Sequence, residues 1–209
     1  MARPQRLVVV AGTGTEVGKT WVAQRLLLQA RSRGLRVAAR KPVQSFEPHT
    51  GPTDAELLAA ATGEALQDVC PAHRSYAVPM APPMAADVLG LPRVLLSGLV
   101  EEIVWPAGAQ FALLETAGGI RSPIAHDGDN LDLIERLRPD EVLLVADAGL
   151  GTINAARLCA QVLSGWPLQV LLNRYDDRVD LHRRNREWLR EYGLHVLTSV
   201  DAWWDRGPG

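Results

Sequence analysis

Apolar positions change period several times along the chain. Leu7–Ala11 is a continuous apolar run rich in valine, the pattern of a strand covered on both faces and so central in a sheet. After a cluster of glycines, apolar residues return at helical spacing between Thr20 and Arg33, at Val22, Leu26, the Leu27/Leu28 pair and Ala30, and Gly34 marks a C-terminal stop. VAARKPV then predicts a second strand ending near Lys41.

The same alternation returns further on. Strands are predicted at Phe111–Glu115, Glu141–Asp147 and Leu168–Asn173, helices near Leu131–Arg138 and Thr152–Leu163, and then a helix at Leu181–Tyr192 and a short strand around His195–Val200. Strands alternating with helices imply right-handed crossovers, hence an α/β fold with a mostly parallel sheet and helices on both faces. Gln44–Thr53 and Tyr76–Pro83 carry prolines and glycine and are expected to be loops within the domain.

Composition narrows this picture. With 209 residues and 47% apolar content the chain is expected to form a single domain, residues 1–209. A net charge of -2 and a pI near 6.2 provide no basic field for a nucleic-acid backbone, so no nucleic-acid partner is expected. Cys70 and Cys159 are far apart and form no C-x-x-C, so both are expected to be buried free thiols, as fits a reducing cytoplasm. The apolar run before Gly12 is too short for a signal h-region, and no segment approaches the roughly 18 apolar residues of a membrane helix.

The glycine cluster has chemistry of its own. GTGTEVGKT joins a buried strand to a helix, where α/β sheets bind ligands beyond the strands' carboxyl ends. Glycines let the backbone curl so that its N–H groups and the helix N-terminus face phosphate oxygens, while Lys19 adds a point charge and Thr20 a hydroxyl able to ligate Mg2+. The spacing departs from G-x-x-x-x-G-K-[ST], since Thr13 occupies the first glycine position with Gly12 and Gly14 beside it. A P-loop NTPase-like fold is the expectation, and a plain glycine-rich turn is the bland alternative.

GTGTEVGKT also resembles the loop of the dethiobiotin synthetases, G-T-x-T-x-V-G-K-T. KPVQS (Lys41–Ser45), Asp54, YAVPMAPPMAA, ETAGG (Glu115–Gly119), GLGTINAA (Gly149–Ala156) and Asn173 resemble further family segments in the same order. The resemblance implies an enzyme that uses ATP and Mg2+ to close a cyclic urea from a vicinal diamine and CO2, through a carbamate and a carbamic–phosphoric anhydride. It implies nucleotide contacts from Gly12, Gly14, Thr15, Glu16, Val17, Gly18, Lys19 and Thr20, with Asn173 at the adenine. Lys19, Lys41, Thr13 and Ser45 are then catalytic, and Thr20, Asp54 and Glu115 are the metal ligands. Ser45, Gly118, Gly151, Thr152, Ile153 and Asn154 face the substrate, the last four from the neighbouring subunit of a homodimer.

The residue types suit that chemistry. Phosphoryl transfer is served by positioning and by cations near the transferring group, and Lys19 and Lys41 are candidates; a solvated charge at a strand end is the lesser alternative for Lys41. Ser45 and Thr13 offer hydroxyl groups to a carbamate, although an isolated Ser or Thr is more often turn chemistry. Asp54 by itself reads as a helix N-cap. Glu115 ends an apolar strand, where a carboxylate is costly to bury unless paired or bound to metal. The free N–H groups at the start of the GLGTINAA helix suit a carboxylate.

Several positions depart from the family pattern. Gly14 stands where an acidic residue is frequent, Phe46 where glycine follows the serine, Pro83 where histidine is frequent and Thr116 where glycine follows the acidic ligand; VLTSVDAWWDRGPG lacks a G-x-x-P segment. Two alternatives therefore stand beside the main expectation: a relative acting on a different amine, and a switch or partitioning P-loop ATPase. The latter commonly has a second lysine early in the loop, which is absent from Gly12–Thr15. The histidines show no ligand spacing, and Trp203/Trp204 is expected to be a surface packing element.

Overall fold

The computed structural model describes residues 3–205. In chain order the elements are β1 (Arg6–Gly12), α1 (Lys19–Ser32), β2 (Val37–Arg40), β3 (Gln44–Ser45), α2 (Asp54–Thr62), α3 (Leu66–Val69), β4 (Ser75–Tyr76), α4 (Pro82–Val88), α5 (Leu96–Glu101) and β5 (Phe111–Glu115). They continue with β6 (Pro123–Ala125), β7 (Gly128–Asp129), α6 (Asn130–Leu137), β8 (Glu141–Asp147), α7 (Thr152–Val162), β9 (Leu168–Asn173), α8 (Asp180–Glu191), β10 (Val196–Leu197) and α9 (Val200–Asp205).

A six-stranded sheet in the order β10-β9-β8-β1-β5-β2 forms the centre, and every pairing in it is parallel. Val8, Val9 and Val10 are fully buried because alternate residues of β1 face opposite helical layers. Val8 and Val10 pack with Val22, Leu26 and Leu27 of α1 and Leu58 of α2. Leu7 and Val9 belong to the other face, with Leu99 of α5, Leu133 of α6 and Leu189 of α8. The expected α/β class with helices on both faces is thus what the chain forms.

β1 lies between β5 and β8, and the chain leaves it in one direction for β2 before returning in the other for β8. This reversal opens a crevice at the carboxyl end of β1, where the loop 13–18 sits.

Some boundaries differ from the sequence pattern. β10 ends at Leu197, and of the residues expected to prolong it Thr198 and Ser199 form a bend while Val200 starts α9. Trp203 is no surface element: it is 1% exposed, donates from Nε1 to Glu141 Oε1 (2.7 Å) and meets Phe111 edge-on at 5.8 Å. Its large apolar area makes burial win over its place near the chain end, while Trp204 beside it stays half-buried. Cys70 is buried as expected, whereas Cys159, on a helix side only partly covered, is half-buried. The two segments expected to be loops each contribute structure, Gln44–Ser45 pairing with Ser75–Tyr76 and α4 starting at Pro82. Among the described residues no helix is long and apolar enough to cross a membrane.

Candidate active site

The loop after β1 turns into α1 at Gly18, whose φ of 91° is left-handed and favours glycine. A Cβ there would lie 2.0 Å from Asn173 Nδ2, so the close approach requires glycine as well. Asn173, at the end of β9, uses that amide to donate to Val17 O (3.0 Å) and braces the loop. Among the described residues, the backbone N–H groups of residues 14–18 donate to no other group. They form an open cradle suited to an anion.

Lys19 reaches back along the loop and donates to Gly14 O (2.8 Å), its stem packed so closely on Gly12 that a Cβ there would be 2.8 Å from Cδ. Burial and the neighbouring Lys41 lower its pKa to about 8. The Gly14 position is open, with nothing within 4 Å of where a Cβ would stand.

Below the loop, four side chains converge. Thr20 Oγ1 lies 2.6 Å from Asp54 Oδ1 and 2.9 Å from Glu115 Oε1. Lys41 Nζ lies 2.6 Å from Glu115 Oε1, 2.8 Å from Asp54 Oδ2 and 3.2 Å from Thr116 O. Glu115 is fully buried and Lys41 is 2% exposed. Burial works against the Lys41 charge, but two facing carboxylates outweigh it and hold the ammonium protonated well above the ordinary range. Burial drives the Glu115 carboxyl up, with Lys41 opposing. Asp54, although desolvated, is pulled down to about 2 by Lys41 and by the Thr20 hydroxyl.

Lys41 is therefore a buried ion-pair partner and not a solvated strand-end charge. Asp54 is not the N-cap of α2 either. Thr53 is, in a reciprocal capping box with Glu56, which leaves the Asp54 carboxylate free to turn toward Thr20 and Lys41.

Glu115 Oε2 is buried and has no hydrogen-bond partner, so the cluster retains an oxygen directed at no protein donor. Two carboxylates and a hydroxyl are hard oxygen donors of the kind Mg2+ takes together with water. No set of three or more His, Cys, Asp or Glu side chains converges among the described residues, so the carboxylate share of such a site is Asp54 and Glu115, with the Thr20 hydroxyl beside them.

The other expected residues lie around this centre without joining it. Thr13 N–H donates to Val145 O (3.0 Å), and Gly119 packs against the Thr13 carbonyl. Ser45 Oγ donates to Met80 O (2.5 Å). Thr116 Oγ1 donates to the Val10 carbonyl (3.5 Å). Gly118, at φ 71°, sits in a turn organised by the buried Asn130, whose amide donates to Ala117 O and Gly119 O (2.7 Å each). Gly151, Thr152, Ile153 and Asn154 start α7, and among the described residues no hydrogen bond joins them to the Lys19–Glu115 cluster.

Sequence reasoning missed Asn130, Asp147 and Arg174. Arg174 bonds Asp147 and the Glu16 carbonyl, at 2.8 Å each. Asp147 had a visible signal, since it ends an apolar strand as Glu115 does.

A parallel sheet with an anion-binding loop at its reversal point and a lysine and hydroxyl at the loop's end defines a P-loop nucleotide-binding protein of the α/β class. Solved structures agree at the level of fold. One described as a plasmid partition protein from Borrelia burgdorferi B31, bound to AMPPNP, aligns at a TM-score of 0.56 and 12% identity over 94% of this chain and 88% of that one. A nucleotide-binding protein from Archaeoglobus fulgidus in complex with ADP aligns at 0.53 and 14%, over 93% and 80%. Residues 6–201 match the family described as AAA domain. The ATP-dependent dethiobiotin synthetase of Caulobacter vibrioides (strain NA1000 / CB15N) is 41% identical over 167 residues, 77% of this chain and 75% of that protein. The same enzyme of Anaeromyxobacter dehalogenans (strain 2CP-C) is 39% identical over 175 residues, 81% and 77%. The chain belongs to the dethiobiotin synthetase family, ATP-dependent ligases of biotin biosynthesis.

Proposed function

We propose that this chain closes the urea ring of dethiobiotin from 7,8-diaminopelargonic acid, CO2 and ATP. One amine adds to CO2 and loses a proton, giving a carbamate. A carbamate oxygen attacks the γ-phosphorus and ADP leaves, and the second amine then attacks the carbonyl carbon of the anhydride, expelling phosphate and losing a proton.

The loop N–H groups and Lys19 would bind the phosphates and oppose the charge that develops on the transferring group. The Lys41 ammonium, held protonated by two carboxylates, is a fixed cation beside that path. Thr13 and Ser45 would orient the carbamate, and Asn173 would contact the base. Thr20, Asp54 and Glu115 would hold Mg2+, which when bound supplies neutralising charge at the phosphate oxygens. The single observation that carries this reading is the convergence of Thr20, Asp54, Glu115 and Lys41 below an open phosphate cradle.

Gly151, Thr152, Ile153 and Asn154 would receive the substrate's tail carboxylate. Thr152 is 5% exposed and its Oγ1 is buried without a partner at the start of an 11-residue helix, which supports an anion there. In the homodimer we infer, this subsite would serve the neighbouring subunit's substrate, and the enzyme would work in the cytoplasm.

A second reading, ring closure on a different diamine, is favoured by Phe46. It is half-buried beside Ser45, with its backbone fixed by an N–H bond to Tyr76 O (3.0 Å).

The test is incubation with ATP, Mg2+, bicarbonate and 7,8-diaminopelargonic acid. The expected product has gained a carbonyl and lost two hydrogens, with an equimolar release of phosphate. Phosphate release that ignores the diamine would refute the assignment.

A further inference from the structure

At the carboxyl edge of the sheet, one arginine touches both the phosphate loop and the turn that leads into α7. Arg174 follows β9 with a left-handed φ of 57°. Its Nη2 donates to Glu16 O at 2.8 Å, and Glu16 is itself left-handed at φ 59°. Its Nη1 lies 2.8 Å from Asp147 Oδ2. Left-handed backbone costs a residue with a Cβ about 1–2 kcal/mol, so the arginine contact falls at a point where the loop needs support.

Asp147 passes the contact on. Its Oδ1 accepts from Gly149 N–H at 2.8 Å, and a Cβ at Gly149 would lie 2.9 Å from that oxygen. Asn185, buried on α8, donates to Ala148 O and Gly149 O at 2.9 Å each. The turn is therefore held tightly enough for a shift at Asp147 to reach Gly151 and Thr152. The guanidinium can serve both acceptors because its donors form a rigid fork, which a lysine lacks.

We propose that Arg174 is a positioning residue that couples the nucleotide loop to the Gly149–Asn154 turn, so that the nucleotide of one subunit and the diamine whose tail this turn receives, bound at the neighbouring subunit, each tighten the other's binding. This rests on the functional reading above, in which that turn receives the tail carboxylate. Nucleotide binding orders the loop around Glu16, the ordered carbonyl fixes Arg174, and Arg174 fixes the Asp147 carboxylate that shapes the turn. Linkage requires the effect to be reciprocal. Arg174 and Asp147 are partly exposed, with side chains 60% and 46% accessible. The coupling should accordingly fall near the lower end of the usual range, roughly fivefold.

The experiment is calorimetric titration of the full-length protein with 7,8-diaminopelargonic acid, with and without a saturating non-hydrolysable ATP analogue and Mg2+. Wild type should bind the diamine roughly fivefold more tightly with the nucleotide present. Arg174→Ala should bring that ratio close to one. Asp147→Asn should do the same, since it keeps an acceptor for Gly149 N–H but loses the arginine. Arg174→Lys should not rescue the ratio. A purely structural arginine would lower both affinities and leave their ratio intact, so an unchanged ratio in Arg174→Ala overturns the proposal, as does a wild-type ratio of one. Wild type that binds the nucleotide but no diamine under either condition overturns the functional reading, and this inference with it.

Discussion

Replacing Lys41 with methionine should destabilise the protein before it says anything about catalysis. The ammonium is 2% exposed and sits between Glu115, which has no accessible surface, and Asp54, whose side chain is 42% accessible. Water can solvate Asp54 once the lysine is gone but cannot reach Glu115, so Glu115 sets the cost. Removing one partner of a buried pair typically costs about 3–5 kcal/mol. At roughly 2–4 °C per kcal/mol for a chain of this size, Tm should fall by about 6–20 °C at neutral pH. The deficit should depend on pH. Burial raises the Glu115 carboxyl while Lys41 opposes the rise, so in Lys41→Met it moves further above its unfolded value, and a group shifted in that direction contributes its stability below the unfolded pKa and loses it as pH rises through the folded one. Lys41→Met should therefore lie nearest to wild type around pH 4 and fall behind as pH rises toward neutrality. Adding Glu115→Gln removes the stranded charge and should recover more than half of the loss at pH 7. Thermal unfolding followed by circular dichroism across that pH range is the assay. A Lys41→Met protein that melts with wild type at pH 7, or whose deficit is the same at pH 4 and pH 7, would refute the reasoning.

Lys19→Ala should lower ATP-dependent turnover roughly 10²–10³-fold while leaving the far-ultraviolet circular dichroism unchanged; wild-type turnover in a folded variant would contradict the phosphate-loop assignment. Because Lys19 is held at about 8 in the free protein, affinity for an ATP analogue should weaken as pH rises above that value, by at most about tenfold per unit for one proton, and Lys19→Ala should flatten the profile. Gly18→Ala places a Cβ against the Asn173 amide at φ 91°, so nucleotide affinity should drop by about tenfold for the 1–2 kcal/mol of backbone strain alone; equal affinity would show that the loop relaxes freely. Glu115→Gln should raise the Mg2+ concentration needed for half-maximal turnover far more than it weakens diamine binding, and equal losses would mark Glu115 as structural.

The central strands were legible because burial on both faces leaves an uninterrupted apolar run that no surface element needs. β1, β5 and β8 carry that pattern, β9 carries a shorter one in Val170–Leu172 after Gln169, and the phosphate loop follows the first of them. Short pieces were not legible. The pairing of Gln44–Ser45 with Ser75–Tyr76 joins segments remote in sequence, and two residues carry no period. YAVPMAPPMAA reads as a loop because of its prolines, yet Pro82 and Pro83 occupy the first turn of α4, where a missing N–H costs nothing. Thr53-Asp54-Ala55-Glu56 did contain its answer, since a threonine followed three residues later by glutamate is a capping box, and that frees Asp54 for the site.

Glu115 and Asp147 show where sequence reasoning stops. Each is a carboxylate closing an apolar strand, and each posed the same question of what offsets its burial. Their surroundings answer differently. Glu115 lies on a central strand with helices over both faces, so it is sealed off and must find a cation. Lys41, 74 residues away in the chain, provides it. Asp147 lies where the chain turns outward, stays 46% accessible, and meets Arg174 across the neighbouring strand's end. The pattern along the chain states the energetic demand, while the partner that meets it depends on sheet order: β5 lies beside β2, which carries Lys41 at its end, and β8 lies beside β9, which leads to Arg174. The same order places a buried, neutralised carboxylate under the phosphate loop and an accessible, bridging one at its side. Two residues that look alike in sequence thus meet different surroundings, the first sealed against a buried lysine and the second bridging an arginine and the turn at Gly149.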